Sequence, residues 1–172
     1  MANTYTAIAT VTVGSGGAAN IEFTSIPGTY TDLAIKVSVR GDNSVTTQQM
    51  YLTFNGATTS FSARQVYGDG ASATSDTLSN SGAAISIVNT NTSPSTANTF
   101  SSTDIYIPNY AGSTNKSVSA DSVTENNGAT ALAGLTAGLW SNSAAITTIK
   151  LTPQSGNFVQ YSTATLYGIK NS

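Results

Sequence analysis

Apolar residues recur in this chain at every second position, in short runs cut off by turn residues. The clearest run sets Leu33, Ile35, Val37 and Val39 on one side and Lys36, Ser38 and Arg40 on the other. This is the mark of a β-strand with one buried face, because successive side chains of a strand point to opposite sides. Tyr5, Ala7, Ala9, Val11 and Val13 alternate in the same way with Thr4, Thr6, Thr10 and Thr12, and only Ile8 breaks the rule. Shorter runs follow at Ile21 and Phe23, Met50 to Phe54, Phe61 to Tyr67, Ile85 and Ile87, Phe100 to Ile107, Val118 and Ala120, Ile149 and Leu151, and Thr163 to Ile169. Leu132, Leu135 and Leu139 have helical spacing, yet Gly134 and Gly138 would each cost a helix interior about 1 kcal/mol. Leu135, Ala137 and Leu139 also alternate, so this stretch reads as a strand.

The punctuation supports the same fold class. Pro27-Gly28 is a turn dipeptide, Asn55-Gly56 is a strong hairpin signal, and Asn126-Asn127-Gly128 closes a further unit. Two polar segments, Gly68 to Gly82 and Thr90 to Asn98, read as surface loops, the second because Pro94 does not suit a central strand. Roughly ten short strands with no convincing helix predict an all-β fold: a single antiparallel β-sandwich spanning 1–172, with a jelly roll as the expected form.

Charge is scarce. Six Lys and Arg and eight Asp and Glu make up 8% of the chain, for a net charge of -2, against about one-quarter charged residues in an ordinary soluble domain. Thr, Ser and Asn, about two-fifths of the sequence, supply the polarity instead and favour strands and turns over helix. The basic residues are too dispersed to neutralise neighbouring phosphates, so nucleic acid is not an expected partner. No apolar run is long enough to span a bilayer, and the N-terminus lacks the pattern of a secretion signal, so neither membrane insertion nor that export route is expected. Low charge suits permanent assembly, since interface cores are depleted in charged residues.

Reactive groups are few. With no Cys and no His, the chain lacks disulfides, thiolate ligands, the usual zinc ligand and the usual general base. Neither a cofactor nor a metal is expected. Gly68-Asp69-Gly70 with Asp76 is the densest acidic feature, but it matches no calcium loop, and a turn held by Asp side chains is the simpler reading. Asp104, Asp121 and Glu125 are near enough in sequence to be weighed as a glycosidase pair, although nothing singles two of them out. A serine hydrolase is likewise not expected. Trp140, Tyr67, Tyr106, Tyr110, Tyr161 and Tyr167 offer rings that can stack on sugars. Trp140, the only Trp, stands at a strand end beside Ser141-Asn142-Ser143 and is the first candidate for glycan contact, with Tyr110 second. Core or subunit packing is the competing role for both.

The segment Tyr5 to Arg40, YTAIATVTVGSGGAANIEFTSIPGTYTDLAIKVSVR, resembles a module of structural proteins from tailed bacteriophages, particularly marine and cyanobacterial ones. That module opens with an I-x-T-x-T-V strand and continues through F-T-S-I-P-x-T-Y-T-D-L, which Ile21 to Leu33 reproduces closely. Leu52 to Gly56 is similar to its L-x-F-N-G landmark, Tyr67 to Gly70 to its Y-G-x-G, and Ala164 to Lys170 to its closing Y-G-I-K strand. The resemblance implies a virion protein assembled in the host cytoplasm, either a capsid decoration (cement) protein or a tail component. With no coiled coil or shaft repeat, the sandwich itself is expected to dock, through edge strands and the N-terminal strand carrying Tyr5, Ile8 and Val11. The leading expectation is a non-enzymatic decoration protein, trimeric, seated on the major capsid protein. The alternative is a tail-associated module that recognises host polysaccharide through Trp140 or the long loops. An enzyme acting on cell-wall glycans is the third and least expected.

Overall fold

The computed structural model describes residues 4–78, 82–128 and 130–170. Among them there is no helix. Twelve strands run in chain order: β1 (Tyr5–Thr12), β2 (Ile21–Phe23), β3 (Asp32–Val39), β4 (Thr47–Phe54), β5 (Phe61–Gly68), β6 (Ala73–Leu78), β7 (Ile85–Asn91), β8 (Ser101–Ile107), β9 (Lys116–Val123), β10 (Ala133–Trp140), β11 (Ile149–Pro153) and β12 (Thr163–Ile169). They form two antiparallel sheets, one of eight strands in the order β1-β12-β3-β8-β9-β10-β5-β6 and one of four in the order β2-β11-β4-β7. The fold is therefore the expected β-sandwich. Its pairing is nested: β1 lies on β12, β2 on β11, β3 on β8 and β4 on β7. Two hairpins, β5-β6 and β9-β10, extend the larger sheet past β8.

Alternation places the core between the sheets. Leu33, Ile35, Val37 and Val39 of β3 meet Met50, Leu52 and Phe54 of β4 within one buried cluster that also takes Ile105, Ile107, Ile149, Leu151 and Leu166. Burying each such aliphatic side chain contributes about 1.5–3 kcal/mol. Phe54, Phe61 and Trp140 fill one end. Trp140 stacks on Phe61 at 5.9 Å between centroids and tilts against Phe54 at 5.6 Å.

Four local expectations are revised. The stretch expected as one long loop, Gly68 to Gly82, contains β6, which pairs with β5 from Ala73 to Leu78; residues 79–81 lie outside the described part. β6 is an edge strand with only Thr, Ser and Asp between Ala73 and Leu78, so it carries no apolar alternation to betray it. Asn55 and Gly56 do form a tight turn with positive φ of 51° and 68°, closed by the Ala57 amide on Phe54 O. They do not make a hairpin, however, because β4 and β5 belong to different sheets. In β1, a register shift between Ala7 and Ala9 marks a bulge at Ile8. This extra residue explains the break in alternation: Tyr5 and Ala7 face outward before it, while Val11 and Val13 turn toward the core after it.

The fourth revision concerns β10, which is the strand expected, but its larger apolar residues face away from the core. Gly134, Thr136, Gly138 and Trp140 point inward. β7 lies directly over them, and a Cβ at Gly138 would stand 2.7 Å from Ile85 Cγ2, one at Gly134 2.9 Å from Val88 Cγ2. Only glycine permits that approach, which sends Leu135, Ala137 and Leu139 to the outer face.

The chain after β7 is held by a buried cation. Arg40, 8% exposed, donates from its guanidinium to Ser93 O, Ser95 O, Thr96 O and Thr99 O at 2.8–3.0 Å. Among the described residues no carboxylate pairs with it, and burial lowers its pKa.

Candidate functional site

Two surfaces stand out. The first is the outer face of the eight-stranded sheet. Cross-strand register aligns Lys36, Asp104, Asp121, Leu135 and Val66 in one row across β3, β8, β9, β10 and β5. A neighbouring row brings Val123, Ala133 and Ala73 together with Gly68. Tyr5, Val66, Tyr106, Val123 and Leu135 are all 40–57% exposed on this face. Val66, Val123, Ala133, Leu135 and Ala73 line a shallow depression of about 440 Å³, which ends at Asp121. These residues form an apolar area beside the charged row of Lys36, Asp104 and Asp121.

At the other end of the same face, Tyr106 donates its hydroxyl to Asp32 Oδ2 at 2.7 Å, which holds the ring in place and raises the phenol pKa. Tyr5 stands edge-on to Tyr167, with centroids 6.3 Å apart. Lys36 is paired with Asp104, and that bond raises the Lys36 pKa. Asp104 and Asp121, weighed in sequence as possible acid and base, do sit opposite each other across β8 and β9, but Asp104 is occupied by Lys36. Glu125 caps the following turn by accepting from the Asn127 amide at 2.7 Å.

The aromatic residues chosen for glycan contact lie in the interior. Trp140 is 2% exposed and Tyr110 is 0% exposed, so neither ring has a face to offer a sugar. Trp140 is the stacking partner of Phe61, and its position at a strand end says nothing of which side it faces. The Tyr110 hydroxyl donates to Pro27 O and fastens the turn between β2 and β3; burial raises its pKa.

The acidic pair is split. Asp69 Oδ1 accepts from the Ala71 amide at 2.9 Å and the Ser72 amide at 2.7 Å, the turn-holding role expected of it, and the Ser72 and Ala71 bonds lower its pKa. Asp76 sits on β6 opposite Gln65. Among the described residues no group of three or more acidic side chains gathers to hold a metal ion. Tyr5, Ile8 and Val11 do lie on an edge strand, since β1 pairs only with β12. Tyr5 faces outward, while Ile8 and Val11 are half-buried against the core, so only the β1 backbone edge and Tyr5 are open to a partner.

Sequence reasoning passed over one spacing, Ser113-Thr114-Asn115-Lys116, which has the Ser-x-x-Lys form of nucleophile and lysine base. Lys116 is 0% exposed, and its amine donates to Gly112 O and Thr114 O. Burial lowers its pKa. Ser113 is exposed and makes no hydrogen bond to the amine among the described residues, so the lysine acts as a clasp for the loop between β8 and β9.

The second surface is a cleft of about 170 Å³ lined by Gln49, Gln65, Tyr67, Asp76, Val88, Asn89 and Leu132. It opens where β4 and β7 lose register between Gln48 and Met50. None of these residues was singled out as a group, since they come from five parts of the chain. The outer-face group was hidden for a related reason: Val66, Val123 and Leu135 read as ordinary strand residues, and only the paired glycines at 134 and 138 signal which face of β10 is closed.

No protein-family model matches the chain, and no curated protein is significantly similar to it.

Proposed function

We propose that this chain is a structural protein of a bacteriophage virion, a decoration protein that sits on the outside of the head, binds the major capsid protein, and associates with its own copies as a trimer. The observation that carries this reading is the inverted strand β10, whose Leu135 faces away from the core and joins Val66 and Val123 in one apolar area. An outward Leu135, 57% exposed, leaves more than half of its surface in water in the monomer; covering it and its neighbours in an assembly contributes roughly 25 cal/mol per Å². The free backbone edge of β1 serves the contact between copies, and the outer face serves the contact with the capsid. The phage-like landmarks support the virion assignment, and the nested pairing of β1 with β12 through β4 with β7 supports a jelly roll with two inserted hairpins. On this reading the protein performs no catalysis.

A cryo-electron microscopy map of the particle tests the proposal. The expected density is a sandwich repeated over the head lattice, in hundreds of copies, with the eight-stranded sheet facing the shell. Density confined to the tail, in a handful of copies, refutes it. A receptor-binding role at the tail cannot use Trp140, because that ring is buried.

A further inference from the structure

We infer that the cleft at the β4–β7 bulge is a binding site for a single neutral sugar ring. The inference does not depend on where in a virion the protein sits. It begins with unspent hydrogen-bonding capacity. Gln65 Oε1 is buried and has no hydrogen-bond partner among the described residues, although a buried acceptor left alone costs about 1–3 kcal/mol. Asp76, directly across the β5–β6 ladder from Gln65, is exposed and takes part in neither ion pair of the described residues. Asn89 spends its amide nitrogen on Thr47 Oγ1 at 3.0 Å, which leaves its carbonyl oxygen. Gln49, Tyr67, Val88 and Leu132 complete the lining. The bulge brings these groups together, because an extra residue in one strand re-aims the side chains beside it. Here Val88 and Asn89 of β7 stand against Gln49 alone.

The chemistry of the lining selects the ligand. Acceptors predominate, from Gln65, Asn89 and Asp76, so the ligand must bring several donors. Calcium would take six to eight oxygens, commonly from several carboxylates, and the cleft has one. An anion would face Asp76 with no cation in the lining. An apolar ligand would leave Gln65 Oε1 unpaired. A sugar ring brings hydroxyl donors on its edge and C–H groups on its faces, the latter suited to Tyr67, Val88 and Leu132. The volume takes one ring, and the exposed carboxylate of Asp76 marks the open side, through which the rest of a glycan would leave.

The test is saturation-transfer NMR with titration calorimetry on the full chain, against methyl glycosides of glucose, galactose, mannose and N-acetylglucosamine, with calcium chloride and glucuronic acid as comparison probes. The expected result is saturable binding of at least one neutral glycoside. Gln65→Leu should weaken it by at least tenfold while leaving stability equal or higher, because it removes an orphaned acceptor and keeps most of the volume; a merely structural Gln65 would lose stability. Asp76→Asn should weaken binding by about tenfold, which corresponds to one charge-assisted bond, and Asp69→Asn, in the nearby turn, should not change it. Absence of binding to all four glycosides, as for a cleft that holds only water, overturns the proposal. Binding of calcium or glucuronic acid alone does so as well, and so does sugar binding that survives Gln65→Leu.

Discussion

Replacing Arg40 with Met should loosen one end of the sandwich without unfolding it. The guanidinium makes four hydrogen bonds to the carbonyls of Ser93, Ser95, Thr96 and Thr99, and bonds to a charged group each contribute roughly 1.5–3 kcal/mol. Two effects work against the sum. Several kcal/mol are recovered because the charge no longer has to be buried, and Ser93 and Thr96, being exposed, can give their carbonyls to water. The net loss should be about 3 kcal/mol, which lowers Tm by roughly 6–12 °C for a chain of this length. Urea denaturation should show a lower midpoint with an unchanged slope. Hydrogen exchange should localise the change to amides such as Thr92, bonded to Thr46 O, and Gly41, bonded to Asn91 O. Arg40→Lys should keep more than half of the loss, because an ammonium has three donors and cannot span four carbonyls. A loss below about 1 kcal/mol with unaltered exchange would show that the carbonyl cage does not hold this loop.

Other outcomes follow from the same structure. Gly138→Val places atoms within reach of Ile85, whose Cγ2 already lies 2.7 Å from an ideal Cβ, and should cost at least 1–3 kcal/mol by thermal denaturation; a neutral result would mean that β7 can lift away. Gly168→Ala meets the Tyr30 ring at 2.3 Å and should cost a similar amount. Leu135→Glu should leave Tm nearly unchanged, since the side chain is 57% exposed, yet abolish particle binding in sedimentation assays. Raised pKa values at Tyr106 and Tyr110 mean that the folded chain keeps protons the unfolded chain releases above about pH 10, so stability falls as pH rises through that range. Tyr110→Phe should make the fall shallower while costing about 1 kcal/mol at neutral pH for the lost bond to Pro27 O, as measured by urea denaturation across the pH series.

The alternating runs announced most strands because each has one face on the core, and β3 is the plainest case. Two things were not legible. An edge strand such as β6 has little to bury, so its Thr, Ser and Asp resemble a loop. Turn signals reveal a reversal but not its destination: Asn55-Gly56 carries the chain from one sheet to the other. The functional surfaces were the least legible part. Trp140 drew attention as the rarest residue, yet rarity does not distinguish a binding ring from the stacking partner of Phe61. Gln65 and Asn89 carry no local signal, because their meaning comes from a β4–β7 bulge in one sheet and the β5–β6 ladder of the other.

The nested order of pairing also sets a sequence in time. Thr47 and Asn89, joined across β4 and β7, are 42 residues apart, whereas Thr10 and Thr165, joined across β1 and β12, are 155 apart. The outer pair must overcome about 1 kcal/mol more closure entropy than the inner one, and ladders of such long range form slowly. The first strand should therefore be the last to settle, against a β12 that is already in place. While it waits, the slot beside β12 is open to the same strand from another molecule, and an exchange of β1 between neighbours would link them without any surface that the single chain does not already possess.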